Sequence, residues 1–220
     1  MSALALRVAV VDYGMGNLRS VRRALAHAAG AETGIRVTAD PEAVASAERV
    51  VLPGVGAIGD CMEELRRLEL QDAVREAASN RPFLGVCLGM QALLRTSEES
   101  GGVGGLDVMA GHAVRFPEGG LDSAGRRLKV PHMGWSRVCQ VAEHPLWCGI
   151  EEGTWFYFVH SYYVVADDPA IVVGEAEHGR PFAAAIAKGP CFAAQFHPEK
   201  SQDAGLRLYR NFLDWDGSWR

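Results

Sequence analysis

Apolar residues in the first 95 positions of the chain fall in short unbroken runs. Each run is followed by a glycine-bearing turn and then by a stretch whose apolar positions recur at helical spacing. Leu6 to Val11 is the first run, and Asn17 to Ala29 the helical stretch after it, with Leu18, Val21, Leu25 and Ala28 on one face. Arg49 to Leu52 begins a second unit, whose helix starts near Ala57 and carries Ile58, Met62, Leu65 and Leu68. Pro82 to Val86 begins a third, with a helix from about Leu88. Strands made of continuous apolar residues are covered on both faces, so the pattern predicts an α/β fold with a central, mostly parallel sheet flanked by helices.

The pattern changes after residue 100. Gly101 to Gly105 and Pro117 to Gly125 read as glycine-rich turns around short antiparallel excursions. From Thr154 the chain is strand-rich: TWFYFVHSYYVV, then AIVVGEAEH and RPFAAAIAK around a His-Gly turn, then CFAAQFHPEKS. Additional antiparallel strands are therefore expected beside the parallel sheet. A last helix is predicted over Asp203 to Leu213, with Leu206, Tyr209, Phe212 and Leu213 at helical spacing. No internal repeat or polar linker divides the 220 residues, so one domain over 1–220 is expected.

Composition narrows the function. Lys and Arg number 22 against 27 Asp and Glu, a net charge of −5 that supplies no basic field for nucleic acid. No apolar run reaches the roughly 18 residues that would span a bilayer, and the opening MSALALRVAVVDYG reads as a strand rather than a signal peptide, so no membrane partner and a cytoplasmic location are expected. The five cysteines are odd in number and widely spaced, which indicates neither a disulfide frame nor a zinc site; most should be small buried hydrophobes. No metal and no cofactor is called for.

The strongest chemical signal is PFLGVCLGMQALL, residues 82–94, where an apolar strand meets a helix at Cys87 between Gly85 and Gly89. A side chain on so tight a turn is lifted out of the sheet, the glycines relieve the strain, and the Leu88 N–H that follows can face a developing oxyanion. A helix N-terminus favours a thiolate. A buried cysteine beside packing glycines is the plainer alternative, but two glycines at one turn favour a nucleophile. His197, in FAAQFHPEKS, follows an apolar strand, and Glu199 two residues on can orient its imidazole. Paired with the Cys87 turn, they form a candidate triad.

VLPGVGAIGD matches the dinucleotide fingerprint GxGxxG, yet the acid that would bind a ribose is missing from the end of the next strand, where Cys87 stands. A loop of Gly54, Val55 and Gly56 that supplies a second backbone donor to the oxyanion is the better reading.

Over nearly its whole length the chain resembles the class I, or triad, glutamine amidotransferases, which are flavodoxin-like in fold. The resemblance is carried by VVDYGMGNLRSV (10–21), LPGVGAIGDCM (52–62), PFLGVCLGMQ (82–91), VPHMGW (130–135), FVHSYY (158–163) and QFHPEKS (195–201). Within that family the DYGMGN opening and VPHMGW are most similar to the glutaminase subunits of imidazole glycerol phosphate synthase. The resemblance implies Cys87 as nucleophile, His197 as general base and acid, and Glu199 as orienting carboxylate. It further implies Gly56, Gln91, Glu99 and His160, Ser161 and Tyr162 around a glutamine substrate. Asn17, Trp135 and Lys200 match positions expected to face a synthase partner, a HisF-type (β/α)8-barrel cyclase in a heterodimer that turns PRFAR into imidazole glycerol phosphate and AICAR. Ser136 and Gln202 depart from the usual pattern, which commonly has Asn and Ser there. A subunit of another synthase, of pyridoxal phosphate or anthranilate type, is the nearest alternative. A non-catalytic flavodoxin-like module or a nucleotide-binding domain is the alternative from another class.

Overall fold

The computed structural model describes residues 7–30, 34–121 and 125–219. Leu6, with which the first predicted strand begins, and residues 122–124 of the predicted turn lie outside them. The elements of the first half are β1 (Val8–Val11), α1 (Leu18–Ala29), β2 (Ile35–Thr38), α2 (Pro41–Ser46), β3 (Arg49–Gly54), α3 (Ile58–Arg67), α4 (Leu70–Asn80), β4 (Phe83–Cys87) and α5 (Leu88–Ala92). The second half adds β5 (Leu94–Ser97), β6 (Val103–Gly104), β7 (Met109–Arg115), β8 (His132–Val138), β9 (Thr154–His160), β10 (Tyr162–Ala166), β11 (Val172–Glu177), β12 (Pro181–Lys188), β13 (Cys191–Ala194) and α6 (Gln202–Asp214).

Among the described residues the main sheet runs β2-β1-β3-β4-β13-β12-β10-β7-β5-β6, with β11 paired to β12. From β2 to β13 every pair is parallel; the strands from β13 to β10, with β7, pair antiparallel. The predicted mixture of a parallel centre and antiparallel additions is therefore present. β1, β4 and β13 are buried along their whole length because side chains alternate between two apolar layers. Val8 and Val10 join Val21 and Leu25 of α1 and Leu208, Tyr209 and Phe212 of α6 on one face. Ala9 and Val11 join Ile58 and Leu65 of α3 and Leu70 and Val74 of α4 on the other. Each large apolar side chain so enclosed contributes about 1.5–3 kcal/mol, which is what fixes the strands that carry the site.

Three expectations need correction. The first third holds a further strand and helix, β2 and α2, that the pattern did not announce; β2 is an edge strand with Arg36 exposed, so no continuous apolar run marks it. The helix expected from Ala57 and carrying Leu68 ends at Arg67, and a further helix, α4, follows it after Glu69 takes the left-handed conformation (φ 58°). The segment TWFYFVHSYYVV is two strands in two sheets: β9 pairs with β8 in a separate two-stranded ribbon, whereas β10, after the break at Ser161, joins the main sheet. Three cysteines, Cys61, Cys87 and Cys191, are buried as expected, and Cys139 and Cys148 are exposed.

Candidate active site

The parallel strands β3, β4 and β13 end side by side, and Gly54 is the register partner of Cys87 across β3 and β4. Open α/β sheets bind ligands at such carboxyl ends. Cys87, the last residue of β4, has φ 54° and ψ −108°, a conformation that costs a side-chain-bearing residue about 1–3 kcal/mol. The turn is tight because its flanks are glycine. A Cβ on Gly89 would run into the Leu52 carbonyl of β3, and one on Gly85 would lie 3.0 Å from the Ala193 Cβ. The strain therefore persists at the one cysteine set over the end of the sheet.

His197 follows β13 and is fixed through its backbone. Its N–H donates to the Tyr157 carbonyl at 2.9 Å, and Ser201 Oγ donates to its carbonyl at 2.6 Å while accepting from the Tyr157 N–H at 3.1 Å. The neighbouring Phe196 ring lies 4.1 Å from that of Phe156, so packing holds the same segment against β9. The imidazole Nδ1–H donates to Glu199 Oε1 at 2.8 Å, with both side chains only 2% exposed, and Tyr209 Oη donates to Glu199 Oε2 at 3.4 Å. Nδ1 is thus the protonated nitrogen, which leaves Nε2 for the thiol. No hydrogen bond of good geometry closes on Nε2, yet the ring senses the sulfur. Burial lowers the His197 pKa; the charge and hydrogen bonding of Cys87, followed by Glu199, outweigh it and raise the value to about 10.

A cavity of about 400 Å³ opens at this point, and it gathers Val55, Gly56, Cys87, Leu88, Gln91, Glu99, His160, Ser161, Tyr162 and Lys200, all singled out from sequence, together with Pro131 and Val159. Gly56 has φ 102°, open to glycine and strained for other residues. Glu99 Oε2 accepts from the Ile58 N–H at 2.9 Å and so satisfies a free donor at the start of α3. Gln91 Nε2 donates to the Tyr162 carbonyl at 3.1 Å and to Gln195 Oε1 at 3.0 Å. His160 Nδ1–H donates to the same Tyr162 carbonyl at 2.7 Å, and burial lowers its pKa to about 3. Neutral and with Nδ1 protonated, it accepts at Nε2 from His132 Nδ1 at 3.3 Å, and His132 Nε2 in turn accepts from Ser136 Oγ at 3.0 Å. A directional chain of hydrogen bonds therefore runs from β8 into the cavity wall. A groove of about 830 Å³ between α1 and α6 is larger, but it lacks the nucleophile and meets the triad only behind Glu199.

The three residues expected at a partner surface are placed unequally. Trp135 is 42% exposed on the outer face of β8, its ring edge-on to Tyr157 at 5.9 Å. Lys200 Nζ sits 5.5 Å from the centroid of the same Tyr157 ring and also lines the cavity. Asn17 is exposed, and its side chain caps α1 by accepting from the Ser20 N–H. Sequence reasoning gave no role to Pro131, Val159, Gln195 or Tyr209. Only Gln195 left a signal, as a polar residue inside the apolar run FAAQF.

The family model described as glutamine amidotransferase class-I matches residues 9–215. The chain belongs to this family. "Imidazole glycerol phosphate synthase subunit HisH" of Methylococcus capsulatus is 56% identical over 210 residues, 95% of this chain and 96% of that protein. HisH 1 of Pseudomonas aeruginosa is 54% identical over 212 residues, 96% of this chain and 98% of that protein. Among solved structures, one titled a crystal structure of glutamine amidotransferase superposes with a TM-score of 0.66 at 21% identity, covering 94% of this chain and 97% of that one. The likeness at that identity shows that the class I amidotransferase fold is shared. No helix among the described residues is long and apolar enough to cross a membrane.

Proposed function

We propose that the chain, as one glutaminase domain over residues 1–220, is the glutamine-hydrolysing subunit of an imidazole glycerol phosphate synthase and works in the cytoplasm in histidine biosynthesis. The observation that carries this reading is the strained Cys87 at the end of β4, beside an imidazole whose far nitrogen is held by a buried carboxylate. The match over almost full length to relatives named as that synthase's subunit supports it.

In this reading Cys87 Sγ gives its proton to His197 Nε2 and attacks the side-chain amide carbon of glutamine. The Leu88 N–H, with a second donor from the Gly54 to Gly56 loop, holds the tetrahedral oxyanion; one such donor is worth roughly 3 kcal/mol. His197 then protonates the departing ammonia, a contribution of about 10²- to 10⁴-fold, and water resolves the γ-glutamyl thioester to glutamate. Gln91, Glu99 and the His160 to Tyr162 segment hold the substrate in the cavity. The ammonia passes to a HisF-type (β/α)8-barrel cyclase docked as a heterodimer, which uses it to convert PRFAR to imidazole glycerol phosphate and AICAR. The phosphates of that substrate belong to the partner, in keeping with the acidic balance of this chain.

Substitution Cys87→Ala in the assembled complex tests the division of labour. Glutamine-dependent synthesis should disappear while ammonium salts still support the cyclase. Loss of both activities from an intact complex would contradict it.

A further inference from the structure

Gln195 is fully buried just beyond β13, and nothing in the mechanism above uses it. Its Nε2 donates to Cys87 Sγ at 3.7 Å. The direction of that bond is set from the backbone. The Tyr162 carbonyl can only accept, so it takes the amide nitrogen of Gln91 at 3.1 Å. The other Nε2 hydrogen of Gln91 is then donated to Gln195 Oε1 at 3.0 Å. With its oxygen occupied there, Gln195 must turn its own N–H groups to the sulfur. Reversing Gln195 would set donor against donor, and reversing Gln91 acceptor against acceptor, inside a buried network, a cost such networks do not tolerate.

Apart from His197, which takes the thiol proton, the Val159 carbonyl is the sulfur's other polar neighbour named among the described residues, 3.9 Å from Sγ. That carbonyl can accept from S–H but offers nothing to an anionic sulfur. When the proton moves from Sγ to His197 Nε2, the sulfur gains a negative charge and the ring a positive one. The Gln195 N–H is then a second, neutral donor to the anion beside the imidazolium, and it stays in place when that ring passes its proton to the leaving group. It also restricts where the sulfur sits over the turn.

We propose that Gln195 is a positioning residue for the nucleophile, whose amide N–H, oriented through Gln91 and the Tyr162 carbonyl, holds the Cys87 sulfur in place and favours its anionic form. The proposal rests on Cys87 being the nucleophile. Covalent inactivation of the unaltered chain by an electrophilic glutamine analogue checks that premise separately, because it does not depend on Gln195.

The test is alkylation of the full chain by iodoacetamide across pH 5 to 9.5, followed at Cys87 by peptide mass spectrometry, with exposed Cys139 as the internal reference. Gln195→Met removes the donor at similar size, and Gln195→Glu keeps the acceptor for Gln91 while replacing the donor at the sulfur. Both should slow alkylation at neutral pH by about tenfold, the effect of one hydrogen bond to a charged acceptor, and move its rise to higher pH. Cys139 should be unaffected. Should those variants fail to fold, Gln91→Met leaves Gln195 in place but frees its amide, and a smaller shift in the same direction is expected. A Cys87 profile that superposes on that of the unaltered chain, in variants with unchanged near-ultraviolet circular dichroism, would overturn the proposal even if turnover had fallen.

Discussion

The hydroxyl of Tyr13 donates to the backbone carbonyl of Pro53 at 2.9 Å, across 40 residues of chain. Tyr13 follows β1 and is fully buried; Pro53 precedes Gly54, at the start of the loop that edges the cavity. The fit is close, since a Cβ on Gly54 would run into that hydroxyl. Tyr13 therefore anchors the loop that we propose faces the oxyanion. Tyr13→Phe keeps the ring and leaves the Pro53 carbonyl unpaired, so it should cost about 1–3 kcal/mol of stability. It should also lower kcat more than it raises KM, because the loop acts on the transition state. Equilibrium denaturation and steady-state glutaminase kinetics measure both, and unchanged kcat in a destabilised protein would confine Tyr13 to packing.

The pairing of His197 with Cys87 and then with Glu199 makes stability depend on pH in a set direction. Beside the Cys87 sulfur, folded His197 holds the proton it receives up to about pH 10, against about 6.5 when unfolded. The folded state thus holds the extra proton between those values, and the stabilisation, complete below 6.5, is lost as pH rises through 10. Glu199→Gln removes one cause of the raised value. The stability gap between the original chain and this variant should narrow as pH rises from 6.5 to 9.5 in urea titrations, and kcat should fall by about 10²- to 10⁴-fold.

Much of this site could be read from the chain because its determinants are local. The strand, glycine and helix around Cys87 and the His-Pro-Glu turn each lie within one short segment, so spacing alone reveals the strain and the pairing. What stayed hidden depends on segments far apart in sequence. Gln195 meets Cys87 across 108 residues, and His132 meets His160 across 28, through register between strands that no periodicity encodes. The break of TWFYFVHSYYVV at Ser161 was equally illegible, since both of its strands are apolar and only their different sheets separate them. The edge strand β2 was missed because half-exposed strands carry no continuous apolar run.

Acid should act at another buried histidine. His144 is buried against Phe192, Trp215 and Trp219, and burial lowers its pKa to about 3. The unfolded chain takes up this proton below about 6.5, so the stabilisation is present above that pH and is lost as pH falls toward 3. His144 Nδ1 also accepts from the Leu146 N–H at 3.1 Å, a capping bond that Asn can replace. His144→Asn should lower stability at pH 7 through lost packing, yet flatten the decline between pH 6.5 and 4 by about 1.4 kcal/mol per pH unit. Urea titrations at several pH values would show an undiminished slope if the proton is taken up elsewhere.

The outer face of the β8–β9 ribbon is the surface we assign to the cyclase. Met133, Trp135 and Trp155 are 65%, 42% and 50% exposed there, an apolar set that a monomer has no reason to gather. Trp135 stands against Tyr157, whose ring also receives Lys200 from the cavity lining, so a partner seated on Trp135 would lie close to the cavity that holds Cys87. Large aromatic side chains at the centre of an interface carry about 2 kcal/mol or more. Trp135→Ala should therefore weaken binding of the cyclase by about 30-fold in calorimetric titration. Its thermal stability should change little, because the ring is half-exposed and lies outside the core. Val141 is equally exposed but lies beyond the end of β8, and Val141→Ala should leave affinity unchanged. Equal losses from the two substitutions would place the cyclase elsewhere on the molecule.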